Sequence, residues 1–255
     1  MECASLPGKG EWAFVMLPAP PNAGSLPTGQ AGLPKHEQLK IPYLNSMKPI
    51  LTLATLAILF LFSSFQPDKE KWVELFDGQS FDGWKVGNNA ESFKIEDGMI
   101  VVNGNVAHLF YDGPTGEHNF KNFELKVDVM TRPGSNSGIY FHTQYQESGW
   151  PKKGYEVQVN NSQSDWRRTA SLYAIQDVKE TYVKDDEWFT IHIVVQGKHV
   201  TTSINNKQVV DYTEPDNVER PEGMKERLLS SGTFALQGHD PKSKVFYKNI
   251  RVKAS

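Results

Sequence analysis

The chain has 255 residues, 22% of them charged and 38% hydrophobic, with a formal net charge of -3 and a pI near 6.2. That length admits one large β domain or two small ones, and the mixed composition is that of a soluble globular protein. A slightly acidic balance without basic clusters leaves no electrostatic footprint for nucleic acid or for an anionic surface.

Residues 1–46 carry Pro18, Pro20, Pro21, Pro27, Pro34 and Pro42 among glycines, without sustained apolar periodicity. Such a stretch cannot bury enough surface to offset its ordering entropy, so it is expected to be a disordered or mis-assigned extension. Met47-Lys48 then opens a second beginning: a basic residue, an apolar run over residues 50–62, and the small residues Ser63 and Ser64. This is the layout of a signal peptide over residues 47–66, with Met47 as the expected start. Phe62 and Phe65 stand where small residues usually precede cleavage. A buried helix or a membrane anchor is the alternative, against which the run is shorter than the ~20 residues a spanning helix needs. Cys3 is the only cysteine and precedes the run, so the exported protein would have neither disulfides nor thiol chemistry, nor a cysteine for lipid attachment. The expected location is extracytoplasmic, in a bacterial periplasm or outside the cell.

Over residues 71–254 the pattern changes to short β-branched and aromatic segments punctuated by turns such as Asp77-Gly78, Asp82-Gly83, Asp97-Gly98, Asn103-Gly104 and Asn205-Asn206. The spacing predicts an all-β sandwich or jelly roll of about twelve short strands, with helical turns only near residues 219–229. Residues 93–95 and 99–102 form a hairpin through Glu96-Asp97-Gly98. Residues 123–130 alternate Phe123, Leu125, Val127 and Val129 with polar neighbours, a strand with one wet side. Residues 189–196, 199–204 and 208–212 form a meander, and residues 244–252 close the domain.

Residues 154–161 put Tyr155, Val157 and Val159 on one face and Glu156, Gln158 and Asn160 on the other. The same alternation places Tyr140 and His142 opposite Ile139 and Phe141 in residues 138–143. It places Tyr173 opposite Leu172 and Ala174 in residues 171–177, and Gln237 and His239 opposite Phe234 and Leu236 in residues 233–239. If these strands are neighbours, one concave sheet carries a carboxylate, two imidazoles, three amides and two phenols. Amides and a carboxylate suit vicinal hydroxyls, and aromatic rings suit the apolar face of a sugar. Each residue also has an ordinary reading: a lone strand glutamate is commonly solvated, and a lone histidine is commonly a hydrogen-bonded surface or core residue. Asn136 and Ser137 could bound the groove or cap a turn; Trp150 and Trp166 are candidate rim aromatics. His108, His118, His192 and His199 receive no role.

No glycine-rich phosphate loop before a helix, His-x-x-x-His pair or Gly-x-Ser-x-Gly elbow occurs. A retaining glucanase on a curved sandwich needs two carboxylates about 5 Å apart, commonly on alternate positions of one strand. Gln158 occupies the alternate position after Glu156, which argues against that mechanism.

Several elements together resemble the 3-keto-disaccharide hydrolase family, which has a concanavalin-like lectin/glucanase fold. They are Leu75-Phe76-Asp77-Gly78 with Gly83-Trp84, Asn136-Ser137-Gly138-Ile139-Tyr140-Phe141, Gly154-Tyr155-Glu156-Val157-Gln158, Leu172-Tyr173, Asp186-Glu187-Trp188-Phe189 and Leu236-Gln237-Gly238-His239. The chain departs from the family pattern at His142, where an arginine is common, at Asn160-Asn161, where an aspartate is, and at Ala170-Ser171. The resemblance implies cleavage of 3-keto-glycosides: a ketone acidifies the neighbouring carbon, a base removes that proton, the enolate expels the glycosidic oxygen, and water adds afterwards. For such a reaction, strand parity and motif position point to Glu156 as base, or as holder of a polarising cation, and to His239 as partner acid/base. Tyr140, His142, Gln158, Asn160, Tyr173 and Gln237 become substrate-binding residues. A divalent cation is compatible with this floor, though no ligand spacing demands one. The competing expectations are a non-catalytic, lectin-like carbohydrate module and a sandwich with a purely adhesive or structural role.

Overall fold

The computed structural model of the chain describes residues 71–254. The expected extension over residues 1–46 and the expected signal peptide over residues 47–66 lie outside the described residues. Thirteen strands are found among the latter: β1 Val73–Glu74, β2 Trp84–Val86, β3 Phe93–Glu96, β4 Met99–Val102, β5 Ala107–Tyr111, β6 Phe123–Thr131, β7 Ser137–Thr143, β8 Tyr155–Val159, β9 Phe189–Gln196, β10 His199–Ile204, β11 Lys207–Thr213, β12 Thr233–Gly238 and β13 Val245–Ala254. Single 3-10 turns at Ala90–Ser92 and Thr115–His118 are the only helical elements there. No described helix is long and apolar enough to cross a membrane.

The strands form two antiparallel sheets. One has eight strands, ordered β11-β10-β9-β6-β13-β4-β3 with β1 beside β13, and the other has five, ordered β2-β5-β12-β7-β8. Phe123, Leu125, Val127 and Val129 of β6 and Ile191, Ile193 and Val195 of β9 join Ile139, Phe141, Tyr155, Val157, Val159, Phe234 and Leu236 of the smaller sheet in one core. Side chains of a strand alternate between faces, so each of these runs delivers every second residue inward as the sequence leads one to expect. Phe123 meets Phe141 edge-on across the sandwich at 5.7 Å and Phe234 at 4.9 Å. The β3–β4 hairpin turns on Asp97 and Gly98, both with positive φ, and the β10–β11 hairpin on Asn205 and Asn206, likewise. That is the two-residue turn whose twist matches its strands.

Three expectations need correction. The strand over residues 171–177 is a turn bounded by isolated bridges from Leu172 to Val157 and to Gln176. Ala170 and Ala174 have positive φ, which interrupts extension, although Tyr173 still donates its amide to the Glu156 carbonyl at 2.9 Å. The helical turns expected near residues 219–229 are isolated hydrogen-bonded turns, and the helical elements lie at Ala90–Ser92 and Thr115–His118, while residues 107–111 add β5, second in the smaller sheet. Finally, the alternation in β7 breaks before its end. Tyr140 pairs with Ala235 but Thr143 pairs with Thr233, so β7 spends one residue more than β12 between the two pairs. The extra residue is accommodated at His142, whose φ is 55°, and such a bulge re-aims the side chains that follow it.

Candidate functional site

The outer face of the five-stranded sheet holds the polar residues that the alternation collected. Registers place Tyr140 opposite Glu156 and Gly138 opposite Gln158 between β7 and β8. They place Ala235 opposite Tyr140 between β12 and β7, and Gln237 opposite His108 between β12 and β5. Tyr140, Glu156, Gln158, Tyr173, Gln237 and His239 therefore line one cavity of about 280 Å3. Asn136, Trp150, Pro151, Lys152, Asp165, Gly223, Met224 and Arg227 complete its wall.

Glu156 sits on the floor, 5% exposed. Its Oε2 accepts from the Tyr140 hydroxyl at 2.8 Å and its Oε1 from the Gln237 amide at 2.9 Å, while Gln237 also donates to the Tyr140 oxygen at 3.0 Å. The Arg227 guanidinium lies 3.7 Å from Oε2. Burial pushes the Glu156 carboxyl above its ordinary range, opposed by Arg227, by the two hydrogen bonds and by His239. The Tyr140 hydroxyl is pushed well above its usual value by burial and by the neighbouring carboxylate, so it stays a donor. Room for the carboxylate comes from Gly138: a Cβ there would stand 2.6 Å from Oε1 and 3.0 Å from Cγ of Glu156.

His239 bonds Asp240 Oδ2 through Nδ1 at 2.7 Å. Asp240 is fixed in turn by the Lys242 and Ser243 amides at 2.8 and 3.1 Å and by the Ser243 hydroxyl at 2.9 Å. A carboxylate on one ring nitrogen sets the tautomer and orientation of the other, the arrangement used to make an imidazole an acid or base. Trp150, 45% exposed, packs beside the His239 ring at 5.4 Å and edge-on to His108 at 5.7 Å.

Buried polar atoms without partners converge here. Among the described residues Gln158 Oε1, Gln237 Oε1, Arg227 Nη1, His108 Nε2 and Thr143 Oγ1 lack a hydrogen-bond partner. The first three belong to the cavity wall, and His108 packs edge-on against Tyr140 at 5.4 Å. Leaving a buried polar group unpaired costs about 1–3 kcal/mol, so the three in this wall fit a cavity that is filled by water or by a polar ligand. Burial, with Arg227 and His239 adding to it, lowers the His108 imidazole to about 3, so it is neutral at ordinary pH.

Two expected site residues are elsewhere. The His142 ring packs on Phe123 and Phe141 at 5.7 and 5.3 Å, with Nε2 2.9 Å from the Lys121 carbonyl. Its Nδ1 accepts from the Ser230 amide at 3.1 Å, which assigns the proton to Nε2. Burial holds this imidazole down at about 4. Asn160 lies just past the end of β8, and its amide nitrogen donates to the Asp165 and Arg167 carbonyls at 2.9 Å each. Its side-chain oxygen accepts from the Gln163 amide at 2.9 Å and from Arg168 at 3.2 Å. It staples the loop that brings Asp165 to the cavity rather than lining the cavity itself. Of the residues left open, Asn136 lines the cavity and its Oδ1 accepts from Gln158 Nε2 at 2.7 Å. Trp166 instead packs with Arg167 and Lys179.

Arg227, Asp165 and His108 were not among the sequence candidates. His108 had a readable signal, since Ala107, Leu109 and Tyr111 alternate with His108 and Phe110. Arg227 and Asp165 lie on irregular segments, where no periodicity aims a side chain. No three His, Cys, Asp or Glu side chains among the described residues come together as a metal ion would need.

A family model for the 3-keto-alpha-glucoside-1,2-lyase-like domain matches residues 71–253. The chain belongs to this family. It is 31% identical over 173 residues to the 3-keto-disaccharide hydrolase of Bacteroides thetaiotaomicron, a match spanning 57% of this chain and 59% of that relative. Among solved structures, a candidate glycosyl hydrolase of Parabacteroides distasonis superposes with a TM-score of 0.62 at 24% identity, covering 73% of this chain and 94% of the other. A Bacillus subtilis protein with a galectin-like fold superposes with a TM-score of 0.51 at 10% identity, covering 72% and 94%. At such identities the likeness is one of fold, and it agrees with a lectin-like two-sheet sandwich for this lyase-like domain.

Proposed function

We propose that the chain cleaves glycosides whose sugar carries a ketone at carbon 3, by elimination followed by addition of water. The observation that carries this reading is Glu156: a buried carboxylate held by Tyr140 and Gln237 beside Arg227, with an amide, Gln158, at the next floor position.

A carboxylate has about four lone-pair sites, and two here are taken by Tyr140 and Gln237, which leaves room to accept the proton from carbon 2. Arg227 Nη1, buried and unpartnered, stabilises the enolate oxygen that develops at carbon 3. The bond from carbon 1 to the glycosidic oxygen then breaks, and the leaving oxygen takes a proton from His239, oriented by Asp240. The product pair is an unsaturated keto-sugar and a free alcohol. Water adds to carbon 1 while His239 takes its proton and Glu156 returns the first proton to carbon 2, so the net change is hydrolysis. Trp150, beside His239, offers an apolar ring face to the sugar, and Gln158 and Gln237 offer acceptors to its hydroxyls. Export through residues 47–66 belongs to the same proposal, since it would place the enzyme where glycosides are met.

A second reading is supported by Asp165, which puts another carboxylate in the cavity wall: a two-carboxylate glycosidase with no need of the ketone. Incubation with a chromogenic 3-keto-glucoside beside its unoxidised parent separates the two. Release of the chromophore from the keto substrate alone is expected; release from both would favour the two-carboxylate enzyme. Binding of either without release would identify a carbohydrate-binding module.

A further inference from the structure

Arg227 reaches Glu156 from a segment with no regular structure. The chain between β11 and β12 has only turns, at residues 222–223 and 225–226, yet it must hold a guanidinium over the floor carboxylate. What fastens it lies on the opposite side of the floor strand. Tyr155 precedes Glu156 in β8, so its side chain is directed to the other face of the sheet, and its hydroxyl donates to Glu214 Oε2. Glu214, at the start of the irregular segment, also accepts from the Leu229 amide near its end at 2.9 Å. Arg220, in the middle, donates from Nη2 to the Tyr155 hydroxyl at 2.8 Å and to the Tyr212 hydroxyl at 3.0 Å, and from Nε to the Arg227 carbonyl at 2.9 Å. Burial and Glu214 push the Tyr155 phenol far up, so the hydroxyl keeps its proton and the chain of donors runs from Arg220 through Tyr155 to Glu214.

We propose that Arg220 is a positioning residue: by gripping the Arg227 carbonyl and the Tyr155 hydroxyl in one planar fork, it fixes the distance between the Arg227 guanidinium and the Glu156 carboxylate. Glu214 anchors the fork through its bonds to Tyr155 and Leu229. The three acceptors are met by two separate nitrogens of one rigid planar group, Nε and Nη2, a spread that an ammonium, with all its donors on one nitrogen, does not reproduce. Without the fork Arg227 retreats from Glu156, and the opposition it offers to the burial of that carboxylate weakens.

The proposal builds on the reaction assigned above only for its kinetic readout. In Arg220→Lys, kcat on a 3-keto-glucoside is expected to fall roughly ten- to a hundredfold, the scale of a small misplacement of a reacting group, with KM changed much less. The acidic limb of the pH profile moves to higher pH, because Glu156 must be ionised to act and is now harder to ionise. A direct measurement needs no turnover: the Glu156 side-chain carbon, followed by 13C NMR through a pH titration, should titrate at higher pH in Arg220→Lys than in the natural protein. In an Arg227→Ala background the Arg220 change should move that titration no further, as expected of residues acting in series. If the keto-glucoside is never cleaved, the functional reading fails while the titration still decides this proposal. An unchanged Glu156 titration in Arg220→Lys, or a shift that adds in full to that of Arg227→Ala, would overturn it. Should Arg220→Lys fail to fold, Tyr212→Phe removes one acceptor of the fork and should give a smaller shift in the same direction; no shift there overturns it equally.

Discussion

The two sheets of the sandwich spend their outer faces differently. In the larger one, β6 and β9 alternate buried with half-buried residues along most of their length, and most of the half-buried ones, Glu124, Lys126, Asp128, Thr190 and His192, are polar while Met130 and Val194 are not. In the smaller one, every residue of β5, β7, β8 and β12 is buried. Its outer face is covered although it carries Glu156, Gln158, Gln237 and His108, which a sheet built for stability alone would leave in water or replace with apolar residues. Burial of unpaired polar groups is a cost to the fold, so the difference marks the larger sheet as support and the smaller as the working surface.

That contrast can be broken at several points. The largest effect is expected from Glu156→Gln, which should lower turnover by roughly a thousandfold, within the range for loss of a general base, as read from initial rates. Because burial raises the Glu156 carboxyl, its ionised form weighs against the fold once pH rises through that elevated value. The melting temperature of the variant near neutral pH should therefore not fall below that of the natural protein. Gly138→Ala should remove most activity by pressing a methyl group on the Glu156 carboxyl, and destabilise by about 1–3 kcal/mol, the usual range for overpacking, read by denaturant titration. Val127→Ala in the larger sheet should reverse the balance: a loss of roughly 1–3 kcal/mol from cavity formation with kcat unchanged.

The last effect is one of pH. His142 and His108 have folded values of about 4 and about 3, below the ordinary 6.5. The unfolded chain then binds more protons than the fold below about 6.5, so their contribution is fully present above that value and is lost as pH falls towards 4 and 3. The melting temperature should decline over this window, and His142→Gln should flatten the decline.

Most of the fold and the floor of the site were legible because both obey alternation. Leu125, Val127, Ile191 and Val157 announce their faces, and the same rule aims Tyr140, Glu156, Gln158 and Gln237 the other way. It failed where the backbone leaves the β region. Ala170 and Ala174 adopt positive φ, a conformation nothing in their side chains declares, and the expected strand over residues 171–177 becomes a turn. His142 does the same inside a strand, so the rule aimed its imidazole at the wrong face. Arg227 was illegible for another reason: its position depends on Arg220, seven residues away, which is itself held by Tyr155 far off in sequence, and such links leave no periodic trace. The family, and with it the proposed reaction, was legible only in the combination of motifs rather than in any one residue.

The left-handed residue at His142 divides β7 into two addresses. Up to Tyr140 the strand addresses the cavity. Beyond the bulge, His142 addresses the core through Phe123 and Phe141, and the backbone of Lys121 and Ser230, instead. The number of residues between Gly138 and Thr143 is therefore as much a part of the site as their identity. An insertion or deletion there would exchange the audiences of the two halves while leaving every nearby side chain in place. A transplant of this floor into another sandwich has to carry the bulge with it.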